Sequence, residues 1–215
     1  MNVDDVPETE NIEGNLLNLI FERQAELMDK YHDIERNSGL MQTEKVPVDL
    51  DDRFGQARLK DLAWRTIEEV AESLEAYDQS HMTHAQEEVA DALHFFIELC
   101  ILSGFDNDTY FMTKINLAPS EEALKVSFDL TEAKDVYTSS SIFLRDLGCA
   151  MNCLKNKPWK QTHMLTDKVR YHSNILNAFF KLISYAKSMG LTHTTLFDLY
   201  FRKSEVNKFR QRSQY

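Results

Sequence analysis

Residues 87–104 read EEVADALHFFIELCILSG, and this stretch decides the fold. From Val89 to Leu102 it is apolar nearly all the way round, the mark of a helix buried on every side. Yet the same helix carries Glu88, Asp91, His94 and Glu98. Glu88 stands one turn before Asp91 on the same flank, and Glu98 follows Asp91 by one heptad. An ionised carboxylate is costly to bury unless it is paired or bound to a cation. The helix therefore demands a compensating positive charge, which arginine, lysine or a metal ion could supply.

The preceding segment, WRTIEEVAESLEAY (64–77), holds Glu68, Glu69, Glu72 and Glu75 beside an apolar stripe of Ala63, Ile67, Val70, Ala71 and Leu74. Glu69 and Glu72 fall on the side away from that stripe, which taken alone describes a solvated acidic face. A short loop makes the two helices antiparallel neighbours. Carboxylates facing one another there would repel without divalent cations. Two pairs at i, i+3 suit hard, oxygen-loving ions such as Mg²⁺, which also bind substrate phosphates. Asp91-Ala-Leu-His94 is an acidic variant of the Glu-x-x-His of di-iron bundles, but no partner helix offers the second such pair. At the far end, LYFRKSEVNKFRQRSQY (199–215) sets Lys203, Asn207, Arg210 and Gln214 on one face. That row suits a polyphosphate chain, and equally a solvated helix end complementing the macrodipole.

The rest of the chain agrees with helices. Its 215 residues include only 6 Gly and 4 Pro, too few for the turns of an all-β fold, and no glycine-rich phosphate loop occurs. Helices are expected at about 13–36, 56–77, from a Thr83–Gln86 capping box to Gly104, then 107–117, 120–135, 138–156, 166–189 and 194–212. Residues 1–12 read as a disordered tail and 13–215 as a single all-α domain, with 105–165 as mobile or inserted helices. NILNAFFKLISYAKSMG (174–190) echoes the decisive helix, with Asn174 and Asn177 where Glu88 and Asp91 stand, as a degenerate duplication would leave it. The net charge of −11 argues against a nucleic-acid partner. No apolar run spans a membrane. The acidic N-terminus is unlike a signal peptide, and three cysteines without metal spacing read as reduced thiols, so the expected location is cytoplasmic, in a cell or an infected host.

These motifs resemble the all-α NTP pyrophosphatases related to MazG, in their dimeric dUTPase/dCTPase branch. Glu69-Val-Ala-Glu72 resembles that family's ExxE, and Glu88-Val-Ala-Asp91 with the trailing His94-Phe95 resembles its ExxD element. Tyr200 to Tyr215 resembles the tail YxxKNxxNxxRQxxGY, with Ser204 and Gln214 as departures. The resemblance implies a four-helix ExxE/ExxD metal core and a homodimer. It also implies cleavage of dUTP or dCTP between the α- and β-phosphates, yielding the monophosphate and pyrophosphate in nucleotide-pool sanitation. Glu69, Glu72, Glu88 and Asp91 would hold two or more Mg²⁺ ions, with Glu69 or Glu72 helping to activate the attacking water. Lys203, Arg210 and Tyr215 would hold phosphates, Asn207 the sugar or phosphate, and His94 would also contact substrate. Gln24 would read the base, although Met28 stands where dUTPases tend to have Asn. Asn156–Gln161 (NKPWKQ) resembles a Trp-Lys segment of relatives, displaced here to follow the ExxD helix, and Trp159 reads as a core anchor. A catalytically silent helical interaction module is the alternative from another class.

Overall fold

The computed structural model describes residues 2–9, 14–38, 45–105, 122–157 and 159–213. Among them lie seven α-helices and no strand: α1 (Leu16–Asn37), α2 (Arg53–Asp78), α3 (Met82–Leu102), α4 (Ala123–Asp129), α5 (Val136–Cys153), α6 (Lys168–Ser188) and α7 (His193–Arg212). Five of them start where a short polar side chain accepts a backbone N–H of the first turn: Asn15, Asp52, Asp135, Asp167 and Thr192. The start of α3 departs from expectation. It opens at Met82 with His81 in the capping position and no side-chain cap, so the Thr83–Gln86 box does not form. Gln86 is engaged elsewhere: its Nε2 donates to the Met189 carbonyl at 2.8 Å, tying the start of α3 to the end of α6.

Helix α3 is the core element. Val89, Ala92, Leu93, Phe96, Ile97, Leu99 and Cys100 are all buried in one apolar cluster that draws on every other helix. α2 packs along α3 and α5 along α6, while α1 and α7 close on α3 from further sides. Both α3 and α6 end on a left-handed glycine, Gly104 and Gly190, beyond which Phe105 N–H reaches the Cys100 carbonyl and Leu191 N–H the Ala186 carbonyl. The polar pair of α6 enters no carboxylate cluster: Asn174 donates to the Cys149 carbonyl, and Asn177 is exposed. Gly55, in the first turn of α2, allows that helix to run hard against the segment before it, since a Cβ there would lie 2.7 Å from the Asp49 carbonyl.

Other expectations are corrected by particular contacts. α4 stops at Asp129 rather than 135 because Lys187 takes the Phe128 and Thr131 carbonyls and Ser184 the Glu132 carbonyl, satisfying acceptors outside a helix. The expected helix at 107–117 lies outside the described residues. Ala71, assigned to the apolar stripe of α2, is exposed. Trp159 is no core anchor, being 75% exposed. The anchor of its segment is the buried Asn156, whose backbone N–H donates to Gln56 and whose side chain bonds the Asp51 and Met164 backbones. The first residues are not a free tail where they are described. Residues Val3–Asp5 form a 3₁₀ turn, Arg202 of α7 donates to the Val3 and Val6 carbonyls, and Thr9 donates to Asp198. No helix of the described residues is long and apolar enough to cross a membrane, and all three cysteines are free thiols.

Candidate active site

The packing of α2 on α3 brings Glu69, Glu88 and Asp91 together, with one ligand oxygen from each inside a 4.8 Å circle. Glu69 and Asp91 are half-buried and Glu88 is buried. Burial, a hydrogen bond with Glu88 and the charges of Asp91, Glu88 and Glu72 push the Glu69 carboxyl up to about 8. Glu88 is raised as well, by burial first, against the opposing pull of Lys203. Both shifts favour a protonated Glu69 hydrogen-bonded to Glu88. Lys203 of α7 supplies the remaining positive charge, its Nζ lying 2.6 Å from Asp91, 3.5 Å from Glu87 and 3.7 Å from Glu88. Burial alone would depress this ammonium, but Asp91, Glu88 and Glu87 outweigh it and hold its pKa above the usual lysine value. Oxygens from one buried and two half-buried acids, drawn together beside an ammonium, fit a divalent cation. Glu72, one turn beyond Glu69, is exposed and stands outside this trio, near enough for its charge to act on Glu69.

Glu69 and Asp91 line a cavity of about 240 Å³ whose walls come from α1, α2, α3 and α7. Glu98, only 5% exposed, accepts from Arg58 Nη2 at 3.0 Å and from Gln24 Nε2 at 3.2 Å. Gln24 in turn accepts from the Tyr200 hydroxyl at 2.9 Å, so both ends of its amide are fixed. The imidazole of His94 stacks on the Tyr200 ring with centroids 3.8 Å apart. Its Nδ1 lies 2.9 Å from the Ala90 carbonyl, which can only accept, so the proton sits on Nδ1. Burial lowers the His94 pKa, keeping the ring neutral, and leaves Nε2 as a buried acceptor without a partner among the described residues, on the wall of the cavity. Arg65 lies over the Phe95 ring, and Asn207 and Arg210 complete the lining from α7.

Of the residues singled out in the sequence, Gln24, Glu69, Asp91, His94, Asn207 and Arg210 line this cavity, while Glu88 and Lys203 join the cluster beside it. Tyr215 and Gln214 lie outside the described residues. Sequence reasoning missed Arg58, Arg65 and Tyr31 on the lining, and it left the charge partner of Glu98 open. A signal existed: Arg58, Arg65, Glu69 and Glu72 follow i, i+7, i+11, i+14 on α2, one face opposite the apolar stripe. Clustered carboxylates with a lysine beside them adjoin a helical cavity lined by arginines, a donor set with the chemistry to hold a cation and phosphates. A family model described as dUTPase matches residues 16–215, and the chain belongs to the dUTPase family. It is accordingly a dUTP diphosphatase-like hydrolase, in a family of metal-dependent nucleotide hydrolases. No curated protein and no solved structure matches the chain.

Proposed function

We propose that the protein hydrolyses dUTP, and dCTP as a second substrate, to the monophosphate and pyrophosphate in a Mg²⁺-dependent reaction, acting as a cytoplasmic homodimer in nucleotide-pool sanitation. The observation that carries this reading is the meeting of Glu69, Glu88 and Asp91 with Lys203 beside a cavity lined by Asn207 and Arg210. Glu69, Glu88 and Asp91 would hold two or more ions, with Glu72 contributing from the solvent side. Bound there, Mg²⁺ would neutralise phosphate charge and make water more acidic.

The protein's own groups do the rest. Lys203 would hold the phosphates, joined by Arg210 and Tyr215. Glu69 and Glu72 are the acids available to take a proton from the attacking water. Gln24 spends one N–H on Glu98 and one lone pair on Tyr200, leaving one donor and one acceptor for a base edge. That pair complements the N3–H and carbonyl of uracil, and equally the N3 and amino group of cytosine. His94 Nε2 accepts from a substrate donor, and Asn207 contacts the sugar or a phosphate.

A panel of dNTPs incubated with and without Mg²⁺, with phosphate products separated, tests the assignment. Release of dUMP and pyrophosphate is expected only with the metal. Orthophosphate as the product, or turnover unaffected by chelation, would overturn it.

A further inference from the structure

Tryptophan is usually well buried, yet both of this chain's tryptophans are exposed, Trp64 by 60% and Trp159 by 75%. They border a concentration of positive charge. Lys60 of α2 donates to the Leu154 carbonyl at 2.8 Å, and Arg53 donates to the Lys160 carbonyl at 2.6 Å. These bonds lace the start of α2 to the segment after α5 and gather Lys155, Lys157 and Lys160 around Lys60. Burial first, and then the charges of Lys157, Lys155 and Lys160, push the Lys60 pKa down. Among the described residues, none of Arg53, Lys60, Lys155, Lys157 and Lys160 forms an ion pair with a carboxylate. The Lys157 ammonium instead lies 5.2 Å from the centre of the Trp159 ring. Asn156 fixes the segment from beneath, so the arrangement is built into the fold.

We propose that this patch binds single-stranded nucleic acid, an unpaired base stacking on Trp159 and backbone phosphates lying on Lys60, Lys155, Lys157 and Lys160. Cations without a carboxylate partner among the described residues, beside an exposed aromatic ring, are the two components of a sequence-tolerant single-strand site. A bare phosphate would use the lysines and leave the ring idle, and a duplex would offer no free base face. The net charge of −11 opposes a broad nucleic-acid grip, but it is not spread evenly. Glu68, which accepts from Trp64 Nε1 at 2.8 Å, bounds the patch on one side. Lys60 and Glu69 are nine residues apart on α2, half a turn out of phase, so the patch and the carboxylate cluster lie on opposite faces. The inference is therefore independent of the reaction proposed above.

The test titrates the protein in chelator with a short oligothymidylate and follows quenching of tryptophan emission. Parallel arms use a duplex, an abasic oligonucleotide of equal length, inorganic pyrophosphate and dUMP. Expected is binding to the oligothymidylate with a log–log salt slope of roughly −3 for four phosphate contacts. Trp159→Ala should weaken it by about tenfold or more. Lys157→Ala with Lys160→Ala should lessen the slope by roughly 1.4. Both variants should keep wild-type dUTP hydrolysis, which also reports that they fold. Absence of binding, unchanged affinity in both variants, or displacement by dUMP would overturn the proposal. So would equal affinity for the abasic chain, the duplex or pyrophosphate, which would reduce the patch to an anion site.

Discussion

Lys203 stands where the carboxylate cluster needs a cation, and replacing it separates two meanings of that position. In Lys203→Met the side chain keeps its bulk and loses its charge. The ammonium has little solvent to lose, being 14% exposed, and it contacts Asp91 at 2.6 Å with Glu87 and Glu88 just beyond. A hydrogen bond to a charged group contributes about 1.5–3 kcal/mol net. Asp91 keeps some access to water, at 21% side-chain exposure, which favours a middle value of about 2 kcal/mol. For a chain of this size that corresponds to a melting temperature lower by roughly 4–8 °C in chelator. The decisive measurement repeats both melts in saturating Mg²⁺. If the metal takes over the compensation of Asp91 and Glu88, the two proteins should come within about half of the metal-free gap. A gap equally wide in both conditions would refute the idea that Lys203 and a bound cation are alternatives.

Three further outcomes follow from the same geometry. Arg58→Leu strips buried Glu98 of its guanidinium, and because Gln24 still donates to it the loss should sit near the low end of the usual range, about 3 kcal/mol in chemical denaturation. Adding Glu98→Gln should recover most of that, and a single-variant loss under about 1 kcal/mol would show that the pair is not what neutralises the site. Asp91→Asn and Glu72→Gln should each abolish dUTP hydrolysis while the far-ultraviolet spectrum stays helical, so normal turnover in either would remove that residue from the metal set. The last concerns pH. The Glu69 carboxyl is raised to about 8 from an ordinary 4.5, so the folded protein holds a proton that the unfolded chain gives up. Its contribution to stability is therefore full below about pH 4.5 and lost as pH rises through about 8. The metal-free melting temperature should fall between pH 6 and pH 9, and Mg²⁺ or Glu69→Gln should flatten that fall. A fall of the same size in Glu69→Gln would place its cause elsewhere.

How much of this was legible in the sequence depends on the distance over which each feature is decided. The character of α3 is written within one helix, because apolar residues on all sides and carboxylates among them are a local contradiction. The need for a compensating charge was legible for the same reason, but its identity was not. Arg58 reaches Glu98 across 40 residues and Lys203 reaches Asp91 across 112. Which charges meet at such separations depends on the rotation of each helix about its axis. Arg58 and Arg65 lie within the expected helix at 56–77, but nothing local to α2 shows that they turn towards α1 and α3 rather than to solvent. Trp159 failed for a different reason. Residue type suggested an anchor, but a segment needing four backbone hydrogen bonds is better held by a buried amide, and Asn156 takes that role.

Charge counting turns the buried acids of α3 into two different things. Glu98 meets the Arg58 guanidinium, which it shares with Glu35 and Asp61, and the Gln24 amide, so its charge is compensated in place and its oxygens face donors. The cluster of Glu69, Glu88 and Asp91 carries −3 when ionised. In the metal-free arrangement the Glu69 proton and the Lys203 ammonium each contribute +1, leaving −3 + 1 + 1 = −1. The first divalent cation, taking the place of the proton and the ammonium, would leave −3 + 2 = −1, the same total before any second ion. The exchange therefore adds no net charge to a half-buried site, where a change of one unit would be strongly opposed. It would return one proton to solvent and leave the Lys203 ammonium available to a phosphate. A residue that would serve as counter-ion before a metal binds and as phosphate ligand afterwards must lie within reach of both, and Lys203 touches Asp91 at 2.6 Å and stands one and two helical turns before Asn207 and Arg210, which line the cavity.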